Sequence, residues 1–171
     1  MAVIQATLTK AALEVFARYL IGDCSVPQVG ALLPFQVLSF AVGEGGWKAT
    51  AGGFVPRDPD PLLTDLDCVV HPSRYATDQR ASFSKNLTYG VDMALTFHPT
   101  SITFAATCTL DLGEFNDDGN GNFPEIWEIG LFGSHPITGD TFMICYGTFA
   151  GQTKTPAGAL TNVVKVQLQL G

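Results

Sequence analysis

Between Glu125 and Phe149 the chain reads EIWEIGLFGSHPITGDTFMICYGTF, placing two carboxylates around a tryptophan, a histidine in a turn and a cysteine among aromatics. A carboxylate pair is the machinery of glycoside hydrolysis. That reaction needs the two groups held roughly 5–9.5 Å apart across a cleft, a separation that spacing along one strand does not establish. The strand reading accounts for the same residues without chemistry. Trp127, Ile129 and Leu131 alternate with Glu128 and Gly130, and Met143, Cys145 and Phe149 alternate with Phe142, Ile144 and Tyr146. With turn residues in GSHPITGD between them, the pattern predicts a β-hairpin. On this reading Trp127 is buried against a neighbouring sheet. Glu128 meets solvent, where it is free to pair with a basic residue of another copy such as Arg57 or Lys154.

The other chemistry-bearing residues give less. His71, His98 and His135 each precede a proline, which favours extended backbone and marks strand ends and turns. None stands at H-x-x-x-H or H-E-x-x-H spacing. In NDDGNGN, a calcium loop started at Asn116 puts Asp118 and Asn120 at its third and fifth positions and Gly121 at its sixth. Its twelfth position is Trp127, and Glu128, the carboxylate that would close it, comes one residue late. An Asx-rich turn is expected, with Asn116, Asp118 and Asn120 as the residues a cation would use. GEGGW at Gly43 lacks the following helix and Lys-Ser/Thr of a phosphate cradle. No catalytic residue and no cofactor is expected.

The elements around these residues read as mainly β. Phe35–Val42 is a strand ended by glycines. From Tyr89 the residues Tyr89, Val91, Met93, Leu95 and Phe97 share a face, as do Ile102, Phe104, Ala106, Cys108 and Leu110, and then Val164, Val166, Leu168 and Leu170. Such period-two alternation predicts antiparallel sheet with one face in a core. One segment has helical period: Leu8, Ala12, Val15, Phe16 and Tyr19 fall at steps of three and four, with Thr7 or Thr9 as cap and Gly22 as stop. The expected fold is an antiparallel β-sandwich-like single domain over 1–171, with a short N-terminal α-helix within 1–22 and a β domain over 34–170. Residues 43–61, rich in Gly and Pro, form a long loop suited to contacts.

Composition narrows the partners. The 171 residues carry a formal charge of −7, yet only 15% are charged and 46% are hydrophobic. An average chain has about 25% charged residues, so this composition suggests surface covered by other subunits. The acidic balance disfavours nucleic acid. No apolar run is long enough for a membrane helix, and the N-terminus lacks a signal-peptide pattern. Cys24, Cys68, Cys108 and Cys145 are widely spaced among apolar residues, as free thiols made in a reducing compartment would be.

Taken in order, these pieces resemble the N-terminal attachment domain of tail-fibre and tail-collar proteins of contractile-tailed bacteriophages. The motifs are the helix LTKAALEVFARYL, the strand FAVGEGG, the proline-rich loop FVPRDPDPLL, the hairpin EIWEIGLF, the segment YGTFAGQTKTP and the closing strand NVVKVQLQL. They cover nearly the whole chain. The turn GSHPITGD is longer than the Asp-Gly turn usual in those domains. The resemblance implies a virion structural protein, a tail or baseplate component made in the host cytoplasm. It would act as a platform or adaptor for tail fibres, without the shaft and tip that follow in fibres. The implied partners are copies of itself, as a homotrimer or a higher-order ring, and other tail, baseplate or fibre proteins. Contact residues are expected in the loops, at Gly43, Glu44, Trp47, Arg57, Glu128 and Lys154. Two rival readings are a carbohydrate-binding β-sandwich module, with Trp47 or Trp127 stacking on sugar, and a small hydrolase using carboxylates from different loops.

Overall fold

A computed structural model describes residues 2–10, 12, 37–67, 82–88, 90–116, 123–134 and 141–169. The described chain is mainly β, with eleven strands: β1 Ala2–Gln5, β2 Thr7–Leu8, β3 Val37–Gly43, β4 Trp47–Thr50, β5 Gly53–Pro56, β6 Ser82–Asn86, β7 Met93–His98, β8 Ser101–Leu110, β9 Glu125–Ser134, β10 Thr141–Thr153 and β11 Leu160–Gln169. They form a four-stranded sheet in the order β1-β11-β8-β7, a five-stranded sheet in the order β2-β10-β9-β3-β6, and the separate hairpin β4-β5. All pairings are antiparallel except β1 with β11.

The two larger sheets share one apolar core. Ile4, Ala106, Cys108, Leu110, Val164 and Val166 of the four-stranded sheet meet Phe40, Val42, Ile126, Ile129, Leu131 and Cys145 of the five-stranded sheet. The alternation in β8 and β11 is as the sequence predicts. On their other face Thr109 and Thr161, opposite each other, exchange a hydrogen bond at 3.1 Å. The chain changes sheet at Ala6, where Ala6 N–H donates to the Lys165 carbonyl on β11 and Thr9 N–H to the Ile144 carbonyl on β10.

The N-terminal helix is not seen among the described residues. Residues 2–8, which the helical period partly claims, are strands, because the alternating AVIQATL finds edge ladders on both sheets. Of the expected helix beyond Leu8 only residues 9, 10 and 12 are described. Thr9 Oγ1 does accept the Ala12 N–H at 3.2 Å. The loop expected over 43–61 holds the β4–β5 hairpin, closed at its base by Arg57 N–H on the Gly46 carbonyl at 2.8 Å. The strand read from Tyr89 starts only at Met93. Residues 90–92 are a turn, with Gly90 at φ +77°.

Two irregularities in β10 alter the hairpin faces. Met143 pairs with Phe132 and Cys145 with Leu131, so Ile144 is an extra residue. Thr148 pairs with Glu128 and Gln152 with Ile126, so residues 149–151 stand opposite Trp127 alone. The single extra residue at Ile144 flips the strand's faces, whereas the two extra residues at 149–151 interrupt the ladder without flipping them. Cys145 therefore enters the shared core, while Met143 and Tyr146 join Ala41, Phe132 and Leu66 in a second cluster. Leu66 and Leu63, from the segment after β5, cover the outer face of the five-stranded sheet. That cover is why β9 is buried on both faces.

Candidate functional site

The two glycine- and glutamate-bearing motifs meet on adjacent strands. Gly43 of β3 and Glu128 of β9 are cross-strand partners. Because Gly43 has no side chain, the Glu128 carboxylate lies over it, where a Cβ would come within 2.4 Å of Oε1. From there Oε1 accepts Gly45 N–H at 3.1 Å, and Oε2 accepts Asp67 N–H at 3.0 Å and the Tyr146 hydroxyl at 2.8 Å. Gly46 closes the approach. It has φ +78°, and a Cβ on it would sit 2.9 Å from the Glu128 Cβ. Glu44 reciprocates: its Oε1 accepts the N–H of Glu125, at the start of β9, at 3.1 Å. Each motif's glutamate thus binds the backbone of the other motif.

Both carboxylates are fully buried, at 0% exposure. A buried carboxylate is tolerated when several donors satisfy it, and Glu128 accepts from at least three, in three different segments of the described chain. Arg57 adds positive charge, with its guanidinium 3.0 Å from Asp67. Burial works to lower the Arg57 pKa, but Asp67, Tyr146 and Glu128 outweigh it and the net direction is up. Burial, and then the Glu128 charge, pushes the Tyr146 hydroxyl up and keeps it a donor. The arrangement fastens the turn after β3 and the segment before Asp67 to the β9–β10 hairpin.

A second buried polar group lies at the other end of β10. Lys154 is 1% exposed and donates to Asn116 Oδ1 at 3.0 Å and the Thr155 carbonyl at 2.9 Å. Its backbone N–H donates to the Pro124 carbonyl, so Lys154 contacts the chain on both sides of residues 117–122. Burial lowers its pKa against the pull of Glu114 and Asp111. Asn116 also donates to the Leu112 carbonyl at 2.8 Å, so its amide is used at both ends. Asp118 and Asn120 lie outside the described residues. Among the described residues no group of three His, Cys, Asp or Glu could hold a metal ion. A cavity of ≈ 210 Å³ beside β6 is lined in part by Phe40, Lys85, Asp92 and Asp111. There Lys85 is committed to Asp111 at 2.6 Å and Glu114 at 2.8 Å, and those two hydrogen bonds raise its pKa.

Several expectations are corrected by burial. Glu128 does not meet solvent, because the segment through Leu66 and Asp67 covers its face. Its positive neighbour is Arg57 of the same chain, so no second copy is needed to supply one. Gly43, Glu44, Glu128 and Lys154 are buried within this chain and are not presented as a contact surface. Trp47 and Arg57 are half-buried, and Trp47 meets Phe54 edge-to-face at 4.9 Å. Trp127 is buried as expected, at 6% exposure, but not on the face of Ile129 and Leu131. Its indole lies against Gly151, where a Cβ would come within 2.5 Å of Cε2. In that position it is closed to a stacking sugar. Cys108 and Cys145 are buried free thiols, whereas Cys24, Cys68, His71 and His135 fall outside the described residues. Sequence reasoning missed Tyr146 and Asp67. The signal available was the glycine-flanked glutamate in each motif. Comparison with protein-family models, with curated proteins and with solved structures gave no match to this chain.

Proposed function

We propose that this chain is a bacteriophage virion structural protein, a tail or baseplate component that assembles with copies of itself and serves as an attachment platform or adaptor for tail fibres. The observation that carries the reading is the use made of the GEGG and EIWEIG carboxylates. Glu44 and Glu128 are buried at 0% exposure and accept backbone N–H groups. They hold the hairpin and its covering segment in one shape, as a docking module requires. The two motifs that most specify the resemblance, FAVGEGG and EIGLF, are the two that this contact joins. A sandwich-like arrangement of the two main sheets suits the same role, since it supports loops and free sheet edges on a rigid core. The chain then works in the virion tail, by assembly instead of turnover.

The genes flanking this one test the reading together with a glycan array. Tail, baseplate or fibre genes on both sides and no glycan bound are expected. Flanking genes for saccharide metabolism, with a saturable glycan ligand, would overturn it in favour of a carbohydrate-binding module.

A further inference from the structure

Among the described residues, strand β7 is the edge of the four-stranded sheet and pairs only with β8. Thr107 N–H donates to the Asp92 carbonyl at 2.7 Å, in the same register that pairs Met93 with Ala106. Hydrogen-bonded and non-hydrogen-bonded pairs alternate along an antiparallel ladder. The even-numbered residues therefore bond to β8, and Met93, Leu95 and Phe97 turn their N–H and C=O groups outward. The side chains of these three residues lie on the core side of the sheet. In successive rows Met93 stands beside Ala106 and Val164, Leu95 beside Phe104 and Val166, and Phe97 beside Ile102 and Leu168. The first row is well covered, but the cover gives out along the strand: Leu95 is 55% exposed, Phe97 73% and Leu168 44%. An exposed edge normally carries a lysine, a proline or a bulge that blocks further pairing. MALTFH has none of these within it.

We propose that β7 pairs antiparallel with β7 of a second copy, about a two-fold axis at Leu95, so that the two four-stranded sheets become one. This rests on the reading that the chain assembles with itself, and adds the surface and the symmetry. Opposed residues of such a pair share a face, so a two-fold axis normal to the sheet pairs odd positions with odd. Centred on Leu95, the register sets Leu95 against Leu95 of the partner subunit and Met93 against Phe97 of the partner subunit. Every outward N–H and C=O of the strand is then used, and the apolar rows join. Shifting the centre toward the C-terminus brings Pro99, which has no N–H, into a bonding position. Shifting it the other way draws in the turn at 90–92. The Leu95 register also sets Asp92, whose Oδ2 accepts Thr88 N–H at 2.7 Å within the chain, against His98 of the partner subunit at both ends, where its Oδ1 faces an imidazole donor. This donor–acceptor complementarity, with an uncharged self-complementary strand between, selects a second copy as the occupant. A two-fold contact of this kind makes a dimer, in place of the trimer that the resemblance implies.

Sedimentation velocity on wild type and Leu95→Lys, with oxidative cross-linking of Leu95→Cys, tests the pairing. Leu62→Cys, on an exposed turn away from the edge, is the control. Directly opposed bonded residues have Cα atoms about 5.5 Å apart, within disulfide range. The expected result is a wild-type dimer, a Leu95→Lys monomer with an unchanged circular dichroism spectrum, and a covalent dimer from Leu95→Cys but not from Leu62→Cys. A trimer or ring unaffected by Leu95→Lys, or no preferential Leu95→Cys cross-link, would overturn the β7 pairing and leave self-assembly standing. A wild-type monomer at the highest soluble concentration would overturn both. Should Leu95→Lys fail to fold, the cysteine pair decides.

Discussion

Glu128→Gln is nearly isosteric, yet it should be costly. One carboxylate oxygen becomes an NH2 group, and both oxygens accept hydrogen bonds. In the better orientation the amide oxygen keeps Asp67 N–H and the Tyr146 hydroxyl, and the NH2 group faces Gly45 N–H, donor against donor. Losing one hydrogen bond to a charged group and leaving its donor buried costs about 2–3 kcal/mol. For a chain of this size that lowers Tm by roughly 5–10 °C. Glu128→Ala strands all three donors and leaves a cavity, for about 4–5 kcal/mol. Tyr146→Phe removes one bond and should cost about 1–2 kcal/mol. Urea titrations of wild type, Glu128→Gln, Tyr146→Phe and the double mutant give the coupling between the pair, which should be well above zero. Glu128→Gln within about 0.5 kcal/mol of wild type would refute the argument, because a solvated carboxylate behaves that way.

Trp127→Ala should cost about 3–5 kcal/mol by calorimetry, since it empties a buried indole site. Gly151→Ala should cost about 1–3 kcal/mol by overpacking the same site. Combining the two should cost somewhat less than their sum, since truncation removes the methyl's contact with the indole but leaves its contact with Glu125 Oε1. Cys108 and Cys145 should not react with a thiol reagent in native protein at pH 8 and should react in denaturant, because burial pushes Cys145 up to about 12 and Cys108 higher. These two thiols and Tyr146 have pKa values raised on folding, so each favours the native state below its unfolded pKa. Their contribution is full up to about pH 8.5 for the thiols and 10 for the tyrosine. It is lost as pH rises toward the folded values, so denaturant midpoints should fall across the alkaline range.

Sequence patterning was most informative where the sheet is regular. Ile102 to Leu110 and Val164 to Leu168 face as their alternation predicts, because β8 and β11 pair without a break. It failed in the hairpin, where the bulge at Ile144 flips faces that strict alternation keeps and the irregularity at 149–151 breaks the ladder beside Trp127. Only Gly151, needed to admit Trp127, hints at the second bulge. The burial of Glu128 was not legible locally. Its donors Gly45, Asp67 and Tyr146 lie 83, 61 and 18 positions away, and a charged residue alternating with apolar ones reads as solvent-facing. At the N-terminus, helical spacing from Leu8 competed with alternation in AVIQATL, and the two available sheet edges settled residues 2–8 as strand.

The most direct test of the proposed assembly role is mass spectrometry of salt-washed particles purified from cultures in which this chain is expressed. The account predicts its peptides in the tail fraction at a constant ratio to other tail proteins. Particles that are complete and infectious without any peptide of this chain would contradict it.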